Sequence, residues 1–374
     1  MRIAYLSTDP SIAYRGTRGT AVRVAALTEA LAREGSEVLL VTAALAPGPP
    51  PPPGLTVELL PGPGASASTA ARLAAEPGRQ AWLTNRLRQF GVDVVFECLA
   101  LHSSAGSIAA HQLGVPHLVD LNAPLVDAAT ASHRLYHAAE AERMEHDVLA
   151  GAALVLAATS PLAAYATARG APRVDVLPNA ADPERFPARS PETTAAPLAV
   201  FVASMRAWHG LDTIVEAWQR LGTSAPRLIV IGDGPERPKL ASAGFEIQRA
   251  VPHDQLPSLL ASANIGIAPY TSGAARYLSP MKVFEYLAAG LAVVAADLPG
   301  VTDHFRDDAT VLIPPGSATA LADAVSLLIG DGPLRARLGE RGRAIVVSRH
   351  TWAHRAKRVL QLIQDLAPAP RVAR

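Results

Sequence analysis

Lys282 and Glu285 stand three residues apart in the segment Ser279-Pro-Met-Lys-Val-Phe-Glu-Tyr-Leu-Ala-Ala-Gly290. Ser279 suits an N-cap, Pro280 the first helical position and Gly290 a stop before the apolar strand around Val293 and Val294. A lysine in the first turn opposes the helix macrodipole, yet together with the free N–H groups of that turn it suits a bound phosphate. A carboxylate at Glu285 can accept both hydrogen bonds of a vicinal diol, as acidic residues do with nucleotide ribose. The plainer use of the two is a mutual surface pair, worth about 0.2–0.5 kcal/mol. Lysine occurs elsewhere only at Lys239 and Lys357, with arginine carrying nearly all the other positive charge, so Lys282 is a marked choice. A nucleoside diphosphate would span Lys282 and Glu285.

Other residues able to do chemistry fall at turns. Arg206, Trp208 and His209 precede Gly210 between a strand and a helix, either as phosphate ligands or as a capping turn. If they are ligands, Lys282, Arg206 and His209 stabilise charge on a departing diphosphate. Gly232-Asp-Gly-Pro235 follows a strand and is, taken alone, a generic turn. Arg15-Gly16-Thr17-Arg18-Gly19-Thr20 precedes a helix, where glycine lets backbone approach phosphate or sugar oxygens. It is not Gly-x-Gly-x-x-Gly, and the next strand ends in Ala43-Ala44 without a ribose-binding acid, which argues against a dehydrogenase. Asn122 ends a strand and His102 starts the preceding helix, with Glu97 beside it as a candidate cleft acid.

The elements that must hold these groups alternate in type. Ile3–Ser7, a helix over 21–33 ended by Gly35, and Val38–Thr42 form a βαβ unit. Val92–Phe96, a helix near 106–112, His117–Leu121 and Ala153–Ala158 continue it. A second series runs through Leu198–Ala203, Arg227–Ile231, Ile265–Pro269, Ala292–Ala295 and Thr310–Ile313. The expected class is α/β, with two doubly wound domains of parallel sheet. Pro178, Pro183, Pro187, Pro191 and Pro197 mark a linker, and a cleft is expected there. The divisions are 1–181, 182–351, a terminal helix over 352–366 that packs back on the first domain, and a disordered tail over 367–374.

At these residues the chain resembles glycosyltransferase family 4, over most of its length. Pro280 to Gly290 is similar to that family's donor-binding helix, with Glu285 at the ribose-binding glutamate. The resemblance implies the GT-B architecture, two Rossmann-like domains facing a central cleft, and retaining transfer of a sugar from a nucleotide-sugar donor, UDP-linked, to a hydroxyl acceptor. It implies donor contacts from Ser204, Gly232, Val251, Tyr277, Ser279, Pro280 and Met281, with Gly16 and Gly19 facing the transferred sugar. Tyr277 stands where the family often has a second glutamate; a gapless match puts Ser204 at an arginine position and His209 at a lysine position. Asn122 takes the place of a histidine that touches the sugar. Those departures keep open a sugar-nucleotide-modifying enzyme or pseudo-glycosyltransferase on the same fold, and a non-catalytic partner protein.

Basic and acidic residues number 34 and 33, which excludes a general polyanion-binding surface and with it nucleic acid. The single Cys98 cannot form an internal disulfide, and the first strand opens without a leader, so a cytoplasmic protein is expected. No Asp-x-Asp occurs, and neither metal nor cofactor is expected. Arg79, Arg86 and Arg88 alternate with Trp82, Leu83, Leu87 and Phe90 over 79–90, a pattern for packing on a sheet or for peripheral contact with an anionic membrane.

Overall fold

The computed structural model describes residues 1–187, 196–273, 277–306 and 308–366; the expected tail over 367–374 lies outside them. The chain divides into two units, 1–178 with 352–374, and 179–351.

In the first unit, β1 (Arg2–Ser7), β2 (Glu37–Thr42), β3 (Leu55–Leu59), β4 (Val94–Cys98), β5 (His117–Leu121), β6 (Leu154–Ala157) and β7 (Val174–Val176) form one sheet in the order β3-β2-β1-β4-β5-β6-β7. Every pair is parallel; Ile3, for example, lies against Val38 on one side and Val94 on the other. β1, β4 and β5 are buried nearly throughout because helices cover both faces, which is why they read as apolar runs rather than alternating ones. The chain reverses its direction of winding between β1 and β4. The helix Trp352–Gln364 belongs to this unit: it packs on the helix Gly19–Arg33, and its Arg355 donates to the Pro178 carbonyl at 2.9 Å.

Arg23 and Asp120 are buried together beneath that surface. The guanidinium contacts both carboxylate oxygens at 2.7–3.1 Å and the Leu177 carbonyl at 2.9 Å, while Tyr5 donates its hydroxyl to Asp120 at 2.7 Å. A buried charge held by so many bonds ties β5, β1 and the end of the first unit's main segment into one network.

In the second unit, β8 (Ala199–Val202), β9 (Leu228–Ile231), β10 (Glu246–Gln248), β11 (Ile265–Ala268), β12 (Ala292–Ala296) and β13 (Thr310–Ile313) are ordered β10-β9-β8-β11-β12-β13, again all parallel. Here the reversal lies between β8 and β11. The boundary with the first unit falls three residues before the sequence division because Asn179 is bound into the second: its N–H donates to Ser279 Oγ at 2.9 Å and its side-chain amide to the Ser279 carbonyl at 2.7 Å.

Candidate functional site

In a doubly wound sheet, ligands bind outside the carboxyl ends of the strands where winding reverses. In the second unit that place is lined by the turn after β8, the turn after β9, Tyr270 after β11, and the helix Met281–Ala288. The helix is buried along nearly all its length. Tyr286 sets its position: the ring lies on Gly266 of β11, where an added Cβ would come within 2.4 Å of it, and its hydroxyl accepts the Val202 N–H at 2.8 Å. A glycine inside a strand signals such a close approach.

The helix begins one residue later than its sequence suggests. Pro280 occupies the N-cap, and Ser279 does not cap the helix because its oxygen is taken by Asn179. Pro280 is buried and Met281 half-buried at this entrance; Tyr277, two residues before Ser279, is half-buried. Lys282 and Glu285 do not form a surface pair. Both are buried, with 7% and 4% exposure.

The Lys282 ammonium is buried without a hydrogen-bond partner among the described residues. It lies 4.3 Å from the centre of the Phe201 ring and 5.1 Å from that of Tyr270, contacts that offset only part of the lost hydration. Burial pushes its pKa down to about 7, against an opposing pull from the Glu285 carboxylate. A buried cation without an acceptor is costly unless an anion completes it.

His209 stands beside it, its ring 5.6 Å from Tyr270. Its Nδ1 accepts the Arg206 N–H at 3.1 Å, which places the ring proton on Nε2. Burial, with Lys282 adjacent, lowers its pKa to about 2. His209 is therefore a neutral hydrogen-bond donor. Arg206 is half-buried with its guanidinium 5.7 Å from the centre of the Trp208 ring, and Ser204 is exposed.

Gly232 has a φ of 139°, and a Cβ there would fall 1.9 Å from the Ala203 carbonyl oxygen. The turn after β9 thus lies directly on the turn after β8, a contact open only to glycine. Asp233 accepts the Ala250 N–H at 2.9 Å, joining the turn to the segment that leads to Val251. Val251 is half-buried and packs against the unit's core.

Glu285 has a partner that the sequence did not suggest. His253 Nε2 lies 2.5 Å from its Oε1, and the other ring nitrogen of His253 receives Arg185 at 3.1 Å. Only the turn after β10, read for Val251 alone, could have signalled it: His253 follows two residues on.

The remaining expected residues belong to the first unit. Gly16 closes a turn with its N–H on the Ala13 carbonyl at 2.8 Å, and Gly19 opens the helix Gly19–Arg33. Asn122 is half-buried, its amide 3.6 Å from Cys98 Sγ. His102 precedes the helix Ala105–Leu113 and meets the Tyr136 carbonyl at 2.9 Å. Glu97 is not an open acid: it is 4% exposed, lies 2.8 Å from His117 Nε2 and crowds Gly106. Strand β4 directs it under the helix, so the pair with His117 satisfies it internally. The apolar side of residues 79–90 is occupied as well. Leu83 and Leu87 are core residues with Trp82 and Phe90 packed on them, and Arg86 is paired with Glu58 at 2.6 Å. Among the described residues no helix is long and apolar enough to cross one.

Two family models tile these units: a glycosyl transferase 4-like domain over residues 18–180 and glycosyl transferases group 1 over 196–331. The chain belongs to this family of group 1, family 4 glycosyltransferases, and its two parallel sheets are the Rossmann-like domains of the GT-B fold. It is 28% identical to a D-inositol 3-phosphate glycosyltransferase of Nocardia farcinica, over 96% of this chain and 88% of that one. A Bacillus subtilis glycosyltransferase assigned to teichuronic acid biosynthesis is 33% identical over 130 residues, a match spanning 34% of this chain and 32% of that protein's length. The crystal structure of Anabaena HepE in complex with UDP-glucose superposes with a TM-score of 0.73 at 16% identity, over 98% of this chain and 100% of that chain.

Proposed function

We propose that the protein transfers a sugar from a UDP-linked donor to an acceptor hydroxyl, with retention of configuration and without a metal ion. The observation that carries this reading is the buried Lys282 ammonium, without a hydrogen-bond partner among the described residues, at a helix N-terminus one turn before the Glu285 carboxylate. A diphosphate gives the ammonium its missing acceptor, and a ribose diol gives the carboxylate its donors. UDP is favoured because the superposed HepE structure carries UDP-glucose; retention is what the family resemblance implies. In this scheme Lys282 and Arg206 stabilise charge on the departing phosphate and His209 adds a neutral N–H. The acceptor oxygen attacks the anomeric carbon on the face the phosphate leaves, and its proton passes to that phosphate. With Lys282 supplying the positive charge, no divalent ion is needed.

The test is a panel of UDP-sugars with candidate hydroxyl acceptors, the product anomer read by NMR, in the presence and absence of EDTA. The α-anomer from an α-donor, formed equally with chelator, supports the proposal. An inverted product removes the retaining step, and activity lost to EDTA but restored by one metal removes the metal-free scheme. Tyr277 at the family's glutamate position favours, as a second reading, an enzyme that modifies the sugar nucleotide itself. Consumption of donor with no acceptor in the product would mark it.

A further inference from the structure

Glu285 is held from behind. His253 Nε2 lies 2.5 Å from Glu285 Oε1, and Arg185 holds His253 at two points, Nη1 to the ring Nδ1 at 3.1 Å and Nη2 to the backbone carbonyl at 3.2 Å. An arginine can only donate, so Nδ1 is the acceptor and the ring proton sits on Nε2, aimed at the carboxylate. Arg185 is itself fixed. The turn Pro183–Arg185 is clamped by Arg343, which donates to the Phe186 carbonyl at 2.7 Å and to the Ala288 carbonyl at the end of the helix that carries Glu285. The three groups form one line, guanidinium to imidazole to carboxylate, ending at the residue assigned to the ribose.

We propose that Arg185 and His253 are positioning residues for donor binding: they fix the rotamer of Glu285 and leave the carboxylate's outward lone pairs to a ribose diol. A carboxylate has about four acceptor sites, and His253 occupies one. Held in place, Glu285 loses little freedom when it receives two hydroxyls, which is how a supporting hydrogen bond raises affinity without touching the ligand. The proposal rests on the donor site described above, and it makes a distinction within that site. Pyrophosphate needs Lys282 but not Glu285, so it is blind to the relay; UDP needs both.

The experiment is calorimetric titration of the full-length protein with UDP and with inorganic pyrophosphate, for the wild type, His253→Ala, His253→Gln, Arg185→Met, Glu285→Ala and the double variant His253→Ala with Glu285→Ala. The expected result for His253→Ala is about a tenfold weaker UDP complex with pyrophosphate binding unchanged, the loss of one hydrogen bond to a charged group. His253→Gln, whose amide can donate to the same oxygen, returns UDP affinity to within about threefold. Arg185→Met gives a smaller loss of the same kind and tests the relay even if His253→Ala does not fold. In the double variant the second change adds nothing beyond Glu285→Ala. Equal weakening of UDP and pyrophosphate in His253→Ala, or additive losses in the double variant, would overturn the relay and leave the donor site standing. A wild type that binds neither ligand, or a Glu285→Ala variant with unchanged UDP affinity, would overturn the donor site and the relay together.

Discussion

Lys282 is a buried cation in the second unit, and its pH behaviour follows from that. Its pKa lies near 7 in the folded chain and near 10.5 when exposed. Between those values the unfolded chain binds more protons, so the stability of the ligand-free protein rises with pH across this window. A bound anion favours the charged form, so affinity moves the other way and falls as pH climbs past 7. From pH 6 to 8.5, pyrophosphate should bind about 10- to 30-fold more weakly to the wild type, after correction by Lys282→Met, whose residual profile reports the ligand's ionisation alone. A flat corrected profile would mean that the ammonium does not meet the anion. Lys282→Met also removes a buried charge at little cost in volume; scanning calorimetry at pH 7 should show its melting temperature raised by about 2 °C or more. At this scale the sequence was legible where a residue type is rare for its place, as with Lys282. It was silent where the environment decides: nothing in Arg206-Ala-Trp-His209 shows that burial keeps the imidazole neutral, and nothing around Glu97 shows that the His117 side chain of β5 bonds it.

The helix Met281–Ala288 was legible as an element, because capping residues and an apolar stretch bound it on both sides. Its first residue was not, since Ser279 is claimed by Asn179, 100 residues away. What aims this helix at the site is Tyr286, whose hydroxyl accepts the Val202 N–H. Tyr286→Phe should cost about 1–3 kcal/mol in denaturant unfolding, the penalty for a stranded backbone donor, and should weaken UDP binding in parallel. Unchanged stability would show that the bond is not needed to seat the helix. The glycine turn makes a sharper demand. Gly232→Ala places a methyl group 1.9 Å from the Ala203 oxygen at a φ of 139°, so the turn must move. Loss of more than about 2 kcal/mol is expected, with donor affinity falling as the two turns separate. The helix over 79–90 had two sequence readings because a basic amphipathic pattern serves a sheet or a membrane equally; Leu83 and Leu87 enter the first unit's core, and Glu58 of β3 pairs with Arg86.

Two parallel sheets were legible across the whole molecule because βα alternation repeats at regular spacing. The unit to which the last helix belongs is a matter of long-range contact. Trp352, Val359 and Leu362 are buried, and Arg358 pairs with Asp175 at 2.6 Å, so residues 352–366 complete the first unit although they follow the second in the chain. Truncation after Thr351 should therefore lower the first unit's stability and expose the apolar side of the helix Gly19–Arg33; a melting profile identical to that of the full chain would contradict the assignment. The buried pair Arg23–Asp120 acts in the same unit, and Arg23→Met should cost about 3–5 kcal/mol by leaving the carboxylate buried without its counter-charge. The central claim, that the second unit is a nucleoside-diphosphate site built on Lys282 and Glu285, is tested most directly by titrating UDP into the wild type and Lys282→Met at pH 6.5. The account predicts saturable binding by the wild type and an affinity about 10- to 100-fold lower in the variant; equal affinities would contradict it.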